Sequence, residues 1–111
     1  MIHGEEGEFN LHAWVKKESD EAIIGITKEA IEELGDIVHI ELPVVGSRVC
    51  RGQEVVVLES TKAAIDSCSP VDGEVIAVNE RVSSCPSLVS QDPEGDGWLY
   101  RVRMVAEKES D

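Results

Sequence analysis

One lysine, Lys62, stands among small residues in the run Glu59-Ser60-Thr61-Lys62-Ala63-Ala64. Ser60, Thr61, Ala63 and Ala64 add so little bulk that another protein's active site has room to close around the amine from several sides. That is the setting of a lysine acylated by a partner. A lysine acting as its own nucleophile or Schiff base needs an apolar pocket or a cationic neighbour to shed its proton, and the surrounding sequence offers neither. An exposed alkylamine is almost wholly protonated at neutral pH, so acylation here calls for an external ligase. Solubility alone would explain an isolated surface lysine. The smallness of the neighbours singles this one out. No catalytic set is evident elsewhere. Cys50, Cys68 and Cys85 are odd in number, lie 18 and 17 residues apart, and form no C-x-x-C pair that would clasp zinc. They read as reduced thiols, and the chain reads as a non-catalytic protein without a metal.

For Lys62 to sit exposed at a hairpin tip, the runs on either side must be strands. Gln53 to Leu58 is β-branched and short, so it is expected as a largely buried strand, with Ile65 to Pro70 following the turn. Gly52 and Gly73, 10 and 11 residues from Lys62, are expected to be turn glycines that bracket this unit almost evenly. Upstream, Trp14-Val15-Lys16 and Ala22 to Ile26 read as strands joined across Lys17 to Glu21, with Trp14 a core or core-edge anchor. Thr27 is placed to N-cap a two-turn helix over Lys28 to Leu34, Glu29 suits its positive end, and Gly35 stops it. Ile31 and Leu34 share the face that must pack on a sheet. Ile37 to Leu42 alternates, which predicts Val38, Ile40 and Leu42 on one side and Ile37, His39 and Glu41 on the other, until Pro43 ends the strand. His39 is expected at a surface or sheet edge.

Val44 to Gly52 carries two turn glycines around a short apolar step. Ser69 to Gly73 repeats that turn chemistry before a strand over Glu74 to Asn79, so the two sides of Lys62 resemble related halves. Val82 to Asp96 is expected to be irregular, apart from one helical turn started by Pro86, and Pro93 to Gly97 reads as a turn. Trp98 to Val105 alternates as a closing strand. Short strands, glycine turns and one small helix near 28–34 predict a mainly β protein, a β-sandwich or flattened barrel.

A chain of 111 residues has room for one core, expected over 11–105 between a mobile acidic leader at 1–10 and a charged tail at 106–111. Ten basic against 23 acidic residues give a net charge of −13, which repels nucleic acid and anionic membranes. The first residues have neither the basic start nor the apolar core of a signal peptide, and no run approaches membrane-spanning length. A cytoplasmic monomer is expected.

Taken together, Glu59 to Asp66, Gly25-Ile26-Thr27, Leu34 to Ile37, Glu41-Leu42-Pro43, Ser69 to Val75 and Gly97-Trp98-Leu99 resemble the H protein of the glycine cleavage system, in order from about His12 to Val105. The resemblance implies a lipoyl-carrier fold of two small antiparallel sheets related by approximate symmetry. It also implies lipoic acid amide-linked to Lys62, with Glu59, Ser60, Thr61, Ala63 and Asp66 forming the surroundings that the ligase reads or the arm meets. In such proteins the lipoyl group takes an aminomethyl group from glycine decarboxylase, delivers it to the aminomethyltransferase, and is reoxidised by dihydrolipoamide dehydrogenase. A lipoate ligase or lipoyl transferase installs it. The related biotinyl carriers place methionines beside their lysine, where this chain has Thr61 and Ala63.

Two departures stand out. H proteins usually read Ser-His-Glu-Trp near their start, their Ser and Glu helping to line the cleft that holds the loaded arm, and this chain reads Leu11-His12-Ala13-Trp14. They also continue into a C-terminal helical segment, whereas this sequence stops at Asp111. Those departures favour a second reading, an H-like lipoyl carrier outside glycine cleavage, either relaying lipoyl groups to other enzymes or serving as a scaffold for redox-linked ADP-ribosylation. A third, an unmodified interaction module that keeps the fold, ranks lower because the Lys62 turn is intact.

Overall fold

The computed structural model describes residues 13–105. The leader, Leu11, His12 and the tail at 106–111 lie outside the described residues. Strands β1 (Ala13–Glu18) and β2 (Glu21–Ile26) form a hairpin that turns on Ser19 and Asp20 alone, so the expected five-residue loop is mostly strand. Helix α1 (Lys28–Leu34) forms as expected: Thr27 Oγ1 accepts the Ala30 N–H at 3.2 Å, and Gly35 closes the helix by donating its N–H to the Ile31 carbonyl at 2.9 Å. Ala30, Ile31 and Leu34 are its buried face.

There follow β3 (Ile37–Glu41), β4 (Arg48–Val49), β5 (Glu54–Ser60), β6 (Ala64–Cys68), β7 (Gly73–Val78), two short helices α2 (Glu80–Ser84) and α3 (Ser87–Gln91), and β8 (Tyr100–Met104). Two open antiparallel sheets result: five strands in the order β1-β2-β8-β7-β4, and three in the order β3-β5-β6. They differ in size, and neither closes into a barrel. The last strand enters the middle of the larger sheet, with Ile24 and Val78 both paired to Tyr100. Between the sheets lies one core, in which Ile24, Ile26 and Val102 from the larger meet Ile40, Val56 and Leu58 from the smaller.

Several expectations are corrected. The alternation over Ile37 to Leu42 fails because a bulge breaks the register between Ile37 and His39. Ile37 and Ile40 both face the core, and Val38 is left 54% exposed. His39 is exposed on the edge strand β3, 3.7 Å from Glu41, as expected. Strand β5 buries only Val56 and Leu58 and continues to Ser60, so it is covered on one face rather than both. Among the described residues the helix count is three rather than one. Asn79 is the reason for the extra helix α2: its Oδ1 accepts the Arg81 N–H at 3.2 Å while its Nδ2 donates to the carbonyls of Asp96 (2.9 Å) and Trp98 (2.7 Å). The turn at Pro93 to Gly97 is thereby tied to α2. Pro86 starts α3, which runs two residues beyond Val89.

Gly52 is a turn glycine, with φ of 89°, but Gly73 is not. It pairs with Met104 within the larger sheet, where a Cβ would strike the backbone carbonyl of Arg103 and the Val102 side chain. Among the described residues no helix is long and apolar enough to cross a membrane.

Two outcomes follow from this packing. Gly73→Ala forces β7 away from β8 and is expected to cost about 3 kcal/mol in urea unfolding, near the upper end of overpacking penalties. A loss under about 1 kcal/mol would show that the strands can part without cost. The second concerns Tyr100, the only tyrosine, which is fully buried. Among the described residues its hydroxyl has no hydrogen-bond partner of good geometry, and the nearby Ser69 hydroxyl donates to the Val71 carbonyl at 2.6 Å. Burial pushes this phenol up to about 12, with neighbouring Cys68 adding to the rise and Ser69 partly offsetting it. Because the folded value is raised, the contribution to stability is intact below pH 10, where the unfolded chain begins to ionise, and is lost as pH rises toward 12. Between those limits the native chain is expected to lose about 2–3 kcal/mol more than a Tyr100→Phe variant does. Phenolate absorbance gives an independent check, with a midpoint near 12 expected rather than near the ordinary value.

Candidate functional site

Strands β5 and β6 meet in the hairpin expected around Lys62, with Leu58 opposite Ile65 and Glu59 opposite Ala64. Thr61, Lys62 and Ala63 form the exposed tip. A single hydroxyl organises it. Ser60 Oγ accepts the N–H groups of Lys62 and Ala63, both at 3.0 Å, and the Ser60 N–H donates to the Ala63 carbonyl at 2.8 Å. The tip is also held from below: the Thr61 N–H donates to the Asp36 carbonyl at 3.2 Å, across the corner between α1 and β3.

Gly35 forms that corner. Its φ of 84° and ψ of −151° lie in a region open essentially to glycine alone. A Cβ there would come within 3.6 Å of Lys62 Cε and 3.9 Å of Thr61 Oγ1, so the lysine stem leaves the tip over a bare patch of backbone. Among the described residues no carboxylate lies within ion-pair distance of Lys62 Nζ. The amine is therefore exposed and uncommitted on a turn whose backbone is fixed. These residues fit an amide-linked prosthetic arm, because nothing must be broken or moved to reach the nitrogen.

Of the other expected site residues, Ser60 has the clearest structural part. Thr61 and Ala63 flank the lysine and are exposed. Glu59 is exposed beside His39 and Ala64, one row of the small sheet away from the tip. Asp66 is not at the tip. It lies on the same outer face as Glu59, its diagonal neighbour about 7–8 Å away, opposite Val57 and beside a shallow groove of about 210 Å³ shared with Glu41, Leu42 and Glu54. Ala13 stands in the other sheet, packed against the core and paired with Ile26. Gly35 and Asp36 were not expected at the site. Gly35 reads locally as a helix stop, and only the pairing of Ile37 with Ser60 reveals that the corner underlies the tip.

Cys50, Cys68 and Cys85 are free thiols. Burial, then Glu54, then Asp66 push the Cys68 thiol up, which keeps it protonated and slows exchange with any disulfide brought near. Among the described residues no cluster of potential metal ligands occurs.

A small β scaffold that fixes a turn in order to offer one amine fits a carrier-type protein. The chain belongs to the glycine cleavage H-protein family, whose model matches residues 8–111. A glycine cleavage system H protein of Coxiella burnetii is 50% identical over 99 residues, covering 88% of this chain and 76% of the relative. One from Nitratidesulfovibrio vulgaris is 49% identical over 100 residues, 90% of this chain and 79% of that one. The crystal structure of a glycine cleavage system H protein from Mycobacterium marinum superposes with a TM-score of 0.81 at 37% identity, covering 86% of this chain and 80% of the other.

Removing the organising hydroxyl tests its part. In Ser60→Ala two tip amides lose their acceptor, and exchange of the Lys62 and Ala63 amide hydrogens should quicken roughly fivefold, as loss of about 1 kcal/mol implies. Global stability should change by under about 1 kcal/mol, because the bonds are exposed. Unchanged exchange would mean that the turn is held without Ser60.

Proposed function

We propose that this chain is the lipoyl carrier of glycine cleavage, moving the aminomethyl group of glycine between partner enzymes on an arm joined to Lys62. The observation that carries the reading is the tip itself: an exposed amine without an ion-pair partner among the described residues, on a turn fixed by Ser60 and seated on Gly35 and Asp36. Family membership supports the pathway, and relatives at about 50% identity bearing that name place it ahead of a lipoyl relay or an ADP-ribosylation scaffold. Free thiols, the state kept by a reducing compartment, support a cytoplasmic setting.

Lipoic acid, when bound, supplies the dithiolane that accepts the aminomethyl group and is later reoxidised. The chain's own residues do the rest. Ser60 and Asp36 hold the turn, so a ligase or lipoyl transferase meets one conformation and loses little entropy on docking. Thr61 and Ala63 leave the nitrogen open, while Glu59 and Asp66 add negative charge to the adjoining face. Glycine decarboxylase, the aminomethyltransferase and dihydrolipoamide dehydrogenase are the enzymes this reading requires.

Intact mass after treatment with a lipoate ligase is expected to rise by one lipoyl group in the native chain and by none in Lys62→Arg. A gain that survives the substitution would sink the assignment. Reconstitution of the loaded chain with the decarboxylase and the transferase should then give turnover; full lipoylation without turnover would move the function outside glycine cleavage.

A further inference from the structure

The larger sheet has an outer face turned away from the core and from the sheet that carries Lys62. Ala22, Ile24, Tyr100 and Val102 point inward and are fully buried, so Ile23, Arg101 and Arg103, which alternate with them, point outward. Lys16 lies in one cross-strand row with Ile23 and Arg101, and Arg48 joins the row of Arg103 by way of Glu74. Four of the chain's ten basic residues thus share one face of a protein with a net charge of −13. Both tryptophans border it. Trp14 covers Gly25, and Arg101 Cζ stands 5.8 Å from the centre of the Trp98 ring.

Carboxylates accompany these cations but hold them loosely. Lys16 and Glu18 are 4.0 Å apart, Arg101 and Glu21 4.0 Å, and Arg103 and Asp20 3.9 Å, all beyond hydrogen-bond reach. Among the described residues Arg101 Nε has no hydrogen-bond partner, so Glu21 does not satisfy the guanidinium fork. The aromatic border is held more firmly. Asn79 Nδ2 donates to the Trp98 carbonyl at 2.7 Å, and the Trp14 indole N–H donates to the Pro93 carbonyl at 3.0 Å. Cations free to change partner, beside indoles fixed in place, have the composition of an interface anchor, where tryptophan and arginine contribute most.

We propose that this face docks an acidic protein segment. Arg101 and Arg103 leave β8 two residues apart on one side, so they match two carboxylates about 7 Å apart, the spacing of alternate residues in an extended strand. Trp98 then meets an apolar side chain that follows them. The acidic surfaces elsewhere on the molecule do not forbid such a partner, because in physiological salt their field decays over about 8 Å and the guanidinium groups are what the segment meets. The outer face of the smaller sheet, with Glu41, Glu59 and Asp66, repels the same segment. A partner seated on the larger sheet leaves the Lys62 tip uncovered, so this surface goes beyond the carrier reading and does not depend on it.

The test titrates the full, unmodified chain with a synthetic peptide, Ser-Glu-Ser-Glu-Ser-Phe-Ser, and with a counterpart carrying lysine in place of glutamate. Saturable changes are expected in the amide shifts of Ile23, Arg101 and Arg103 and in tryptophan emission with the acidic peptide only. Raising NaCl from about 50 to about 200 mM should weaken binding, since the contacts are exposed and screened. Arg103→Gln should weaken it about threefold, as expected for loss of one exposed charge pair. Its side chain is more than half exposed, so the urea midpoint should stay put and separate lost docking from lost folding. Absence of saturable binding, shift changes on the smaller sheet instead, or equal binding to Arg103→Gln would each overturn the proposal. So would equal binding of the lysine peptide or of single-stranded DNA. Sedimentation of the chain alone as a dimer that Arg103→Gln dissociates would assign the face to a second copy and overturn it as well.

Discussion

On the proposed reading Lys62 is offered to several active sites, and such an amine has to be held from beneath, because any side chain that gripped it from above would have to be displaced at each visit. In this chain the grip is almost entirely backbone. The Asp36 carbonyl takes the Thr61 N–H, the Ala63 carbonyl takes the Ser60 N–H, and one hydroxyl accepts the next two amides. Such bonds are individually worth only about 1 kcal/mol, but they restrict the tip without touching Lys62 Nζ. Much of the small sheet and the adjoining helix supports this arrangement. β3 must begin at Ile37 so that the α1 corner lies under Ser60, and α1 must stop at a residue able to adopt the Gly35 conformation. A Cβ at that corner would meet both backbone strain and the lysine stem.

The local parts of this design were legible in the sequence. Thr27 and Gly35 specify both ends of α1 within a few residues, the β-branched run before Glu59 requires a strand, and the small residues around Lys62 mark its tip. Features that depend on a distant partner were not legible. The bulge beside Val38 puts both Ile37 and Ile40 on the core, overriding an alternation that looked regular. Gly73 looked like the counterpart of Gly52, although its constraint comes from Arg103 in a strand thirty positions later in the chain. The nearness of Gly35 to Lys62 has the same character: each residue has a sufficient local explanation, and only the pairing of β3 with β5 joins them.

The region that looked irregular, from Val82 to Asp96, is built around a buried amide. Asn79 is only 4% exposed and uses both ends of its side chain, capping α2 with the oxygen and holding the carbonyls of Asp96 and Trp98 with the nitrogen. A buried amide lacking these partners would be costly, so the 92–99 segment has little freedom to lie elsewhere. Asp92 continues the pattern by accepting the Asp96 N–H at 2.9 Å, which braces the turn that Trp14 reaches from the edge strand β1. Trp14 itself lies over Gly25, where a Cβ would collide with the indole ring. Anchor, glycine and turn form one unit, although they are spread over nearly the whole described chain.

Charge completes the account of a protein that must meet several partners and leave each one. A net charge of −13 on 111 residues produces a field that raises encounter rates with basic surfaces, but in physiological salt it decays over about 8 Å. Steering of this kind acts mainly on association and adds little to residence time. The larger exposed apolar residues nearest the small sheet, Val38, Val44 and Val45, lie at one edge and the turn that follows it rather than across its outer face. On that face Val57 sits between Glu41 and Asp66, one carboxylate on each neighbouring strand. Desolvating those carboxylates would offset part of what burying the valine contributes. A surface so arranged favours contacts that form fast and break easily.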